Sequence, residues 1–258
     1  MIRSPFRPER VPDPALLDGH RPLIRRLQRR GLLRGGLSLG ALTLLTGCDL
    51  DDAGSVHAAL RAVSALNDRV QALLFDPSRL APTYPASMVQ RPPRFNAYYD
   101  IGDVKPVDGE RWRLELAGLI GDKRPWTRED IAAMPQREMI VRHVCVEGWD
   151  YIGQWSGVPL RAFLERVGAD LRAQYVAFKT ADDYPSSIDM ATALHPQTLL
   201  ATGYGGEVLD DPYGYPLRLR MATKLGYKNP KWITAIEVTN AYPGGYWENL
   251  GFNWFAGI

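Results

Sequence analysis

Cysteine and histidine are scarce in this sequence, and their scarcity excludes several kinds of metal site. The 258 residues contain two cysteines, Cys48 and Cys145, and four histidines. The sequence has no CxxC, HExxH or CxxCH pattern. It therefore offers neither a zinc site of the usual spacing nor an attachment site for a c-type haem. Internal repeats and low-complexity blocks are absent as well.

The sequence also lacks a hydrophobic run long enough to cross a membrane. The apolar run Gly35–Gly47 has about a dozen residues, whereas a spanning helix needs about 20. Arg29-Arg30 precedes this run and Leu45-Thr46-Gly47-Cys48 ends it. The first pattern is typical of a twin-arginine export signal, and the second resembles a bacterial lipobox, whose cysteine is lipidated after cleavage. We predict a signal peptide over residues 1–47 and lipidation of Cys48; a basic surface arm before a buried helix is the alternative.

An excess of positive charge is missing once this leader is set aside. The whole chain has 31 basic and 29 acidic residues, of which the leader holds nine arginines and three acids. The remaining 22 basic and 26 acidic residues give a net charge near −4. This balance argues against a nucleic-acid partner.

A solitary thiol in an oxidising compartment needs an explanation. If Cys48 carries lipid, Cys145 has no partner for an intramolecular disulfide. The residues leave three interpretations open: a buried structural cysteine, a nucleophile paired with His143, or a metal ligand. A soft thiolate suits a thiophilic metal whose other sulfur donors come from a cofactor. The glycine- and tryptophan-rich setting of residues 142–160, together with an export route for folded proteins, favours the metal ligand.

The hydrophobic pattern predicts a mixed α+β fold in three segments. Residues 1–47 form the leader, residues 48–93 an N-terminal helix with a proline-rich linker, and residues 94–258 one compact domain. The predicted helices are His57–Phe75, a short helix capped by Thr127 and stopped by Pro135, and a third from Val158 to Gly168. The proline-rich linker is Asp76–Pro93. The predicted strands are Arg111–Ile120, Tyr175–Thr180, Tyr215–Met221 and Trp232–Thr239.

A cluster of basic residues near the end of the chain predicts a phosphate site. Fourteen residues contain Arg218, Arg220, Lys224, Lys228 and Lys231. In a strand, Arg218 and Arg220 lie on the face opposite to Leu217, Leu219 and Met221. Arginine grips phosphate with two parallel hydrogen bonds, and the amides of a helix-free loop over residues 226–231 would face the anion. A solvated strand edge is the alternative.

Four separated segments resemble the sulfite-oxidase-type molybdopterin oxidoreductases. They are RHVCVEGWDYIGQWSGVPL (142–160), YVAFKTADDYPSSIDM (175–190), HPQTLLATGYGGEVL (195–209) and YGYPLRLRMATKLGYKNPKWITAIEV (213–238). Order and spacing agree from about Asn96 to Val238, and the resemblance is greatest to the catalytic subunits of periplasmic protein-methionine-sulfoxide reductases. The resemblance implies the sulfite-oxidase fold. Because the chain ends at Ile258, we expect no C-terminal immunoglobulin-like dimerisation domain, and hence a monomer.

The resemblance also assigns site residues. Cys145 matches the molybdenum ligand, and Arg142 matches a position near the substrate anion, although an ordinary surface arginine is the alternative. The matched cofactor-binding positions are Asn96, Tyr99, Asp100, Thr180, Tyr213, Arg218, Asn229, Pro230 and Lys231. Tyr213 departs from the family, whose close members have asparagine there, so its contact with the cofactor is in doubt.

The resemblance implies an exported molybdenum enzyme. We expect one pterin dithiolene and the Cys145 thiolate to hold molybdenum, with no haem on this chain. The expected reaction is oxygen-atom transfer, reducing a small-molecule or protein sulfoxide with electrons from a membrane b-type haem partner. The expected location is the periplasmic side of the bacterial inner membrane, lipid-anchored or soluble. A sulfite dehydrogenase and a non-catalytic, surface-anchored cofactor-binding protein are the alternatives.

Overall fold

The computed structural model of the chain describes residues 53–258, with side chains from residue 62 onward. The predicted signal peptide and the predicted lipidation site Cys48 lie outside the described residues. The chain divides into two units, Met1–Leu60 and Arg61–Ile258. Residues 61–93, which the sequence pattern assigns to a helix and linker, therefore belong to the same unit as the rest of the domain.

Short helices and strands alternate along the described chain. In chain order they are α1 (Ala53–Leu74), β1 (Glu115–Gly118), α2 (Arg128–Ala132), β2 (Arg137–Val144), β3 (Asp150–Pro159), α3 (Leu160–Arg166), β4 (Tyr175–Thr180), β5 (Ser186–Asp189), α4 (Met190–Ala193), β6 (Thr198–Tyr204), β7 (Glu207–Val208), β8 (Arg218–Met221), β9 (Ile233–Thr239) and α5 (Tyr246–Asn249). Four 3₁₀ turns join them, at Ala86–Met88, Ile101–Asp103, Asp211–Tyr213 and Gly226–Lys228. Within residues 53–258, no helix joins the length and the apolarity that crossing a bilayer requires.

The strands form two sheets, which confirms the predicted mixed α+β class. The first sheet has the order β1-β9-β4-β5, with β1 and β9 parallel and the other pairs antiparallel. The second has the order β2-β3-β6, and both β7 and β8 pair with the remaining edge of β6. All pairs of the second sheet are antiparallel, and the strand order places β2 and β8 on opposite sides of the central β3–β6 pair.

A hydrophobic core lies against the first sheet and α3. Leu114, Leu160 and Phe163 are completely buried in it, and Trp126 packs edge-on against Phe163 with ring centroids 5.1 Å apart. Each fully buried side chain of this size stabilises the fold by about 1.5–3 kcal/mol. A second, smaller cluster around Trp155 lies against the second sheet. The two clusters hold the two sheets in place, and the loops at the ends of their strands form the candidate site.

Both predicted short helices are present, although α3 begins at Leu160 rather than Val158, because Val158 and Pro159 still belong to β3. Thr127 and Asp130 form a capping box at the start of α2, in which each side chain accepts a hydrogen bond from the backbone of the other residue. After α3 the chain leaves the helix at Gly168, whose φ of +64° favours glycine. The helix near the N-terminus is also confirmed, although it begins at Ala53 rather than His57.

Three predicted strands are shorter than expected. β1 begins only at Glu115, because Arg111 ends the turn over residues 109–111, in which the Asp108 carbonyl accepts from the Trp112 amide, and Trp112 and Arg113 are irregular. β8 begins only at Arg218 since Pro216 has no N–H to donate to a ladder. β9 begins at Ile233 because Trp232 has a φ of +51°, which no strand residue adopts. The loop over residues 226–231 is not helix-free, since it contains the Gly226–Lys228 turn.

Candidate functional site

Cys145 lies at the tip of the β2–β3 hairpin and is 6 % exposed. The Cys145 amide donates to the Trp149 carbonyl over 2.9 Å, and the Gly148 amide donates back to the Cys145 carbonyl over 3.2 Å. Gly148 has a φ of +86°, which a residue with a side chain would adopt only with strain. The hairpin ladder and this turn therefore fix where the thiol lies without using its sulfur atom.

The thiol faces a cavity of about 380 Å³. Five predicted site residues line this cavity: Asn96, Cys145, Asn229, Pro230 and Lys231. Burial raises the pKa of the Cys145 thiol, and its sulfur lies 3.8 Å from Oε2 of Glu147. Glu147 in turn accepts from the Trp149 indole over 2.7 Å. Segments far apart in sequence thus meet around one buried sulfur.

Three basic side chains are buried at or near this cavity without a carboxylate partner within 4.0 Å. They are Arg218, Arg220 and Lys231, which are 5 %, 0 % and 8 % exposed. Lys231 lines the cavity, and both arginines donate to Asn229, which also lines it. The ion pairs of the described residues include none of them. Burial lowers the pKa of both arginines to about 10 and that of Lys231 to about 6. Buried charges without counter-ions are costly, so the two arginines favour the binding of an anion, and an anion beside Lys231 would favour its protonated form.

Backbone carbonyls and aromatic rings hold the three cations in place. Arg218 donates to the Tyr213 carbonyl over 2.8 Å, and its guanidinium lies 4.7 Å from the centre of the Trp155 ring. Lys231 donates to the Pro212 carbonyl over 3.1 Å. The Nε atoms of Arg218 and Arg220 are buried and have no hydrogen-bond partner within the described structure. Each arginine therefore keeps a donor that an anion or a water could use.

The basic run splits into two groups, which the sequence pattern did not distinguish. Lys224 lies 3.7 Å from Asp189, and Lys228 forms a buried ion pair with Glu248. These two lysines are compensated by acids of the fold, whereas Arg218 is not. The predicted phosphate site therefore reduces to Arg218, Arg220 and Lys231. A solvated strand edge is ruled out for β8, because all four of its residues are buried.

Asn229 connects the cations to the Cys145 hairpin. Its Oδ1 accepts from the Met221 amide over 2.6 Å and from Arg220 over 3.1 Å. Arg220 also donates to the Arg142 carbonyl over 2.8 Å. This hydrogen bond joins β8 to β2, although β3 and β6 lie between the two strands in the sheet order. Asn229 accordingly orients Arg220 as well as lining the cavity.

His143 forms no hydrogen bond with the thiol. Its Nε2 lies 3.2 Å from Nδ2 of Asn96, and its ring stacks on Trp149 and Tyr151. Burial, with Arg220 and Arg218 nearby, lowers its pKa well below the usual value. The described structure therefore contains no Cys–His pair of the kind that a thiol nucleophile needs.

Gly226 permits the contact between Asn96 and His143. A Cβ atom at this position would lie 2.7 Å from both Nδ2 of Asn96 and Nε2 of His143. Cβ atoms do not approach other heavy atoms this closely, so a side chain here would displace Asn96 and His143. Asn96, the first of the predicted cofactor-binding residues along the chain, can therefore contact His143 only because Gly226 has no side chain.

Thr180 and Tyr99 lie behind the cavity wall. The Thr180 hydroxyl accepts from the Tyr184 amide over 2.8 Å, and the Tyr99 hydroxyl donates to Asp182 over 3.1 Å. Tyr184 and Asp182 line the cavity, so these two predicted residues support residues that face it. Asp100 is exposed and does not line the cavity.

Tyr213 contacts the cation cluster through its backbone rather than its side chain. Its carbonyl accepts from Arg218, while its ring packs against the cluster around Trp155. A backbone carbonyl is available from any residue type. The substitution of tyrosine for the family asparagine therefore leaves this contact with Arg218 in place.

Arg142 lies outside the cavity that contains Cys145. Its side chain is 52 % exposed, forms an ion pair with Asp150 and lines a separate cavity of about 610 Å³. Along β2, His143 is buried and Arg142 is not, because successive side chains point to opposite faces of a sheet. The predicted role of Arg142 at a substrate anion site stays a prediction that this placement does not support.

An aromatic wall, which the sequence analysis did not identify, closes the cavity on one side. We define it as Tyr98, Tyr184, Tyr227, Trp247 and Phe252, all of which line the cavity. Tyr98 stacks on Tyr184 with ring centroids 6.1 Å apart, and the Tyr184 hydroxyl donates to the Tyr227 carbonyl over 2.8 Å. The density of aromatic residues in 95–99 and 242–255 is a sequence signal for three of the five, but not for Tyr184 and Tyr227.

The charge state of Lys231 predicts how the cofactor-free protein responds to pH. Its pKa is about 6 in the fold and 10.5 when unperturbed, so between these values the unfolded chain binds a proton that the folded chain does not. The stability of the cofactor-free protein should therefore rise with pH across this window and fall as pH approaches 6. Lys231→Met should reduce this slope in thermal unfolding between pH 6 and 9.

Lys179→Met is the matched control, because Lys179 is an exposed lysine on β4. Its slope should equal that of the unmodified protein. If Lys231→Met and Lys179→Met give the same slope as the parent, Lys231 is not held uncharged by burial.

Comparison with known proteins shows which family and which relatives the chain is similar to. Residues 101–247 match the family described as the oxidoreductase molybdopterin binding domain. The chain is 58 % identical over 229 residues, 89 % of this chain and 87 % of the relative, to the "Putative protein-methionine-sulfoxide reductase subunit YedZ1" of Azospira oryzae. It is 32 % identical over 54 % of its length to the protein-methionine-sulfoxide reductase catalytic subunit MsrP of Campylobacter jejuni, and 31 % identical over 60 % to that of Xanthomonas campestris.

The matches differ in how much of each relative they cover. The chain spans 53 % and 56 % of the two MsrP proteins. Among solved structures, the sulfane dehydrogenase SoxCD of Paracoccus pantotrophus matches with a TM-score of 0.50 and 20 % identity, over 54 % of this chain and 40 % of that one. At this level of identity the last match supports the fold alone.

Proposed function

Because the chain belongs to the oxidoreductase molybdopterin-binding family and is close to MsrP, we propose that it reduces sulfoxides at a molybdenum centre held by Cys145. The three buried cations without carboxylate partners, adjacent to the cavity of a lone buried thiol, are the observation that supports this most directly. They match a cofactor that carries a phosphate at one end and a thiophilic metal at the other.

The residues of the site fit this cofactor. Residues 53–258 contain no group of three or more His, Cys, Asp or Glu side chains that could hold a metal by themselves. A molybdopterin brings its own dithiolene sulfurs, so a single thiolate completes the set of soft ligands. Arg218, Arg220 and Lys231 would hold the phosphate, and the buried, unpartnered Nε atoms of the two arginines are donors of the required kind.

When bound, the cofactor supplies two-electron chemistry and a centre for oxygen-atom transfer. Reduction of a sulfoxide consumes two electrons and two protons and yields a thioether and water. The β2–β3 hairpin fixes the position of Cys145, and Arg218, Arg220 and Lys231 would hold the phosphate of the cofactor. The aromatic wall excludes water and offers ring edges that contact sulfur and methyl groups favourably.

The electron donor in this proposal is a separate protein in the membrane. The sequence has no CxxCH haem attachment site. The two MsrP relatives are named as catalytic subunits, which implies a further subunit in those proteins. We propose a b-type haem protein of the membrane as the corresponding partner here, and a site of action on the periplasmic side of the inner membrane. The twin-arginine pattern and the lipobox support this location.

A substrate panel with an artificial electron donor tests the proposed reaction. The molybdenum-loaded protein should oxidise reduced viologen when given methionine sulfoxide, free or within a peptide, because the cofactor needs only electrons and an accessible sulfoxide. The control is the same protein given sulfite and ferricyanide. Rapid sulfite oxidation without sulfoxide reduction would favour the sulfite dehydrogenase, and failure of both reactions at full molybdenum loading would favour a non-catalytic binding protein.

A further inference from the structure

Helix α1 turns its polar side toward the domain and its apolar side outward. Asp68 accepts a hydrogen bond from the Phe255 amide over 2.7 Å, and Gln71 accepts one from the Gly257 amide over 3.0 Å. Phe75, just after the helix, packs edge-on against Phe255 with centroids 5.6 Å apart. The residues at this spacing lie on one side of a helix, so these contacts fix which side faces the domain.

The opposite side of α1 carries an aliphatic stripe. We define it as Val63, Leu66, Val70, Leu73 and Leu74, which are 44–84 % exposed. Their spacing places them along one face of the helix. A surface helix of a globular protein normally buries such a face against its own core. Here the hydrogen bonds of Asp68 and Gln71 prevent that orientation, so the stripe is available to something outside the described chain.

The exposed apolar surface continues beyond the helix. Leu80 and Ile258 are both more than half exposed, and they line the same cavity as Leu74. Contiguous apolar patches of this kind on a soluble protein mark a surface that contacts another protein or a membrane.

The composition of the patch favours a membrane surface over a protein. The stripe contains only leucine and valine, whereas the centres of protein interfaces are enriched in aromatic residues and methionine. Arg69 and Arg79 are exposed beside it, Arg69 one helical turn before Leu73 and Arg79 on the cavity shared with Leu74. Cations flanking an aliphatic helix face are typical of a helix that lies in an anionic bilayer surface. Asp76 is the one acid on that cavity.

The position of α1 in the chain agrees with this occupant. The helix begins at Ala53, five residues after Cys48, the predicted lipidation site. We propose that α1 lies in the surface of an anionic bilayer with the aliphatic stripe inserted between the lipid head groups. This inference rests on the proposed location of the protein, and it gives the domain a fixed orientation on the membrane in addition to a lipid tether.

A fluorescent probe on the stripe measures the insertion. Leu73→Cys, in the full chain as processed by a bacterial host, is labelled with an environment-sensitive thiol probe and mixed with vesicles of phosphatidylethanolamine and phosphatidylglycerol containing a nitroxide lipid. The nitroxide should quench this probe at least about threefold more strongly than a probe on the polar side, because an interfacial helix buries its apolar face roughly 5–10 Å while the other face stays in water.

Ala72→Cys is the matched control, since Ala72 is also exposed but lies away from the stripe. Labelling of the unmodified chain corrects for any reaction of the native cysteines. Mass spectrometry of the same protein shows whether Cys48 is acylated, and molybdenum-dependent turnover is measured separately. Each of these three readouts can fail without the others.

Strong quenching at residue 73 and weak quenching at residue 72 would support the proposal, with or without acylation of Cys48. Equal quenching at the two positions, or none at either, would overturn it whatever the sulfoxide reductase activity. Protection of the residue 73 probe only in vesicles that also contain a membrane partner protein would overturn it as well, because the stripe would then be a protein interface.

Discussion

Cys145→Ser should lower turnover by at least about a thousandfold while the protein remains folded. Serine presents a hard hydroxyl in place of a soft thiolate, so it is a poor ligand for a thiophilic metal. A thousandfold loss corresponds to an increase of about 4 kcal/mol in the activation free energy. The fold should persist because the hairpin turn is held by the Cys145 amide and carbonyl, and not by the side chain.

The measurement combines molybdenum content, turnover with an artificial donor and far-ultraviolet circular dichroism on one preparation. Cys48→Ser is the matched control, because it makes the same chemical change at the other cysteine of the chain. Its turnover per molybdenum should equal that of the unmodified protein. Wild-type turnover per molybdenum in Cys145→Ser would show that the metal is not bound by this thiol.

Arg218→Ala or Lys231→Ala should weaken retention of the cofactor by about tenfold to a hundredfold. Each change removes a charge-assisted contact to phosphate, worth about 1.5–3 kcal/mol. Neither side chain has an acid of the fold as a partner, so the loss should appear in cofactor binding rather than in a broken ion pair. The expected product is protein with little molybdenum and with normal turnover for each molybdenum that remains.

Lys179→Ala serves as the control for the removal of a lysine, because Lys179 is exposed on β4. It should keep full occupancy. Molybdenum content and turnover are measured after expression with limiting molybdate, where a difference in affinity changes occupancy most. A variant at residue 218 or 231 that is fully loaded yet inactive would place that side chain at the substrate instead of at the phosphate.

The pairing of acids with lysines distinguishes this site from a general basic surface. Lys224 and Lys228 lie within the same run as Arg218, but Asp189 and Glu248 compensate them. The fold therefore neutralises the cations that stabilise its own structure and leaves uncompensated the three beside the Cys145 cavity. This selective lack of counter-ions indicates an anion site more specifically than the number of basic residues does.

The sequence by itself determined the features that depend on neighbouring residues. The capping box at Thr127, the glycine exit at Gly168 and strand β4 follow from signals within about ten residues, because helix caps and side-chain alternation are local properties. The family resemblance likewise depends on the order of short segments. It identified Cys145 as the metal-ligand candidate and predicted the mixed α+β fold that the structure confirms.

The sequence alone could have predicted that Arg142 and Cys145 lie on different faces of the sheet. A residue three positions before another on an extended strand points to the opposite face, so Arg142 and a thiol at residue 145 would not be expected to share a pocket. The structure shows that separation, with Arg142 beside Asp150 on the exposed side of β2. Arg220, which the sequence shows only as one member of the basic run, is buried and donates both to Asn229, which lines the cavity, and to the Arg142 carbonyl.

Only the tertiary structure decided which charges are compensated and which faces are covered. The partner of Lys224 is 35 residues earlier in the chain and that of Lys228 is 20 residues later. Helix α1 shows an apolar and a polar side in its sequence, yet which side faces the domain depends on the amides of Phe255 and Gly257 at the other end of the chain. Compensation and burial are properties of contacts between distant segments, and the packing of the two sheets, which no local pattern encodes, brings those segments together.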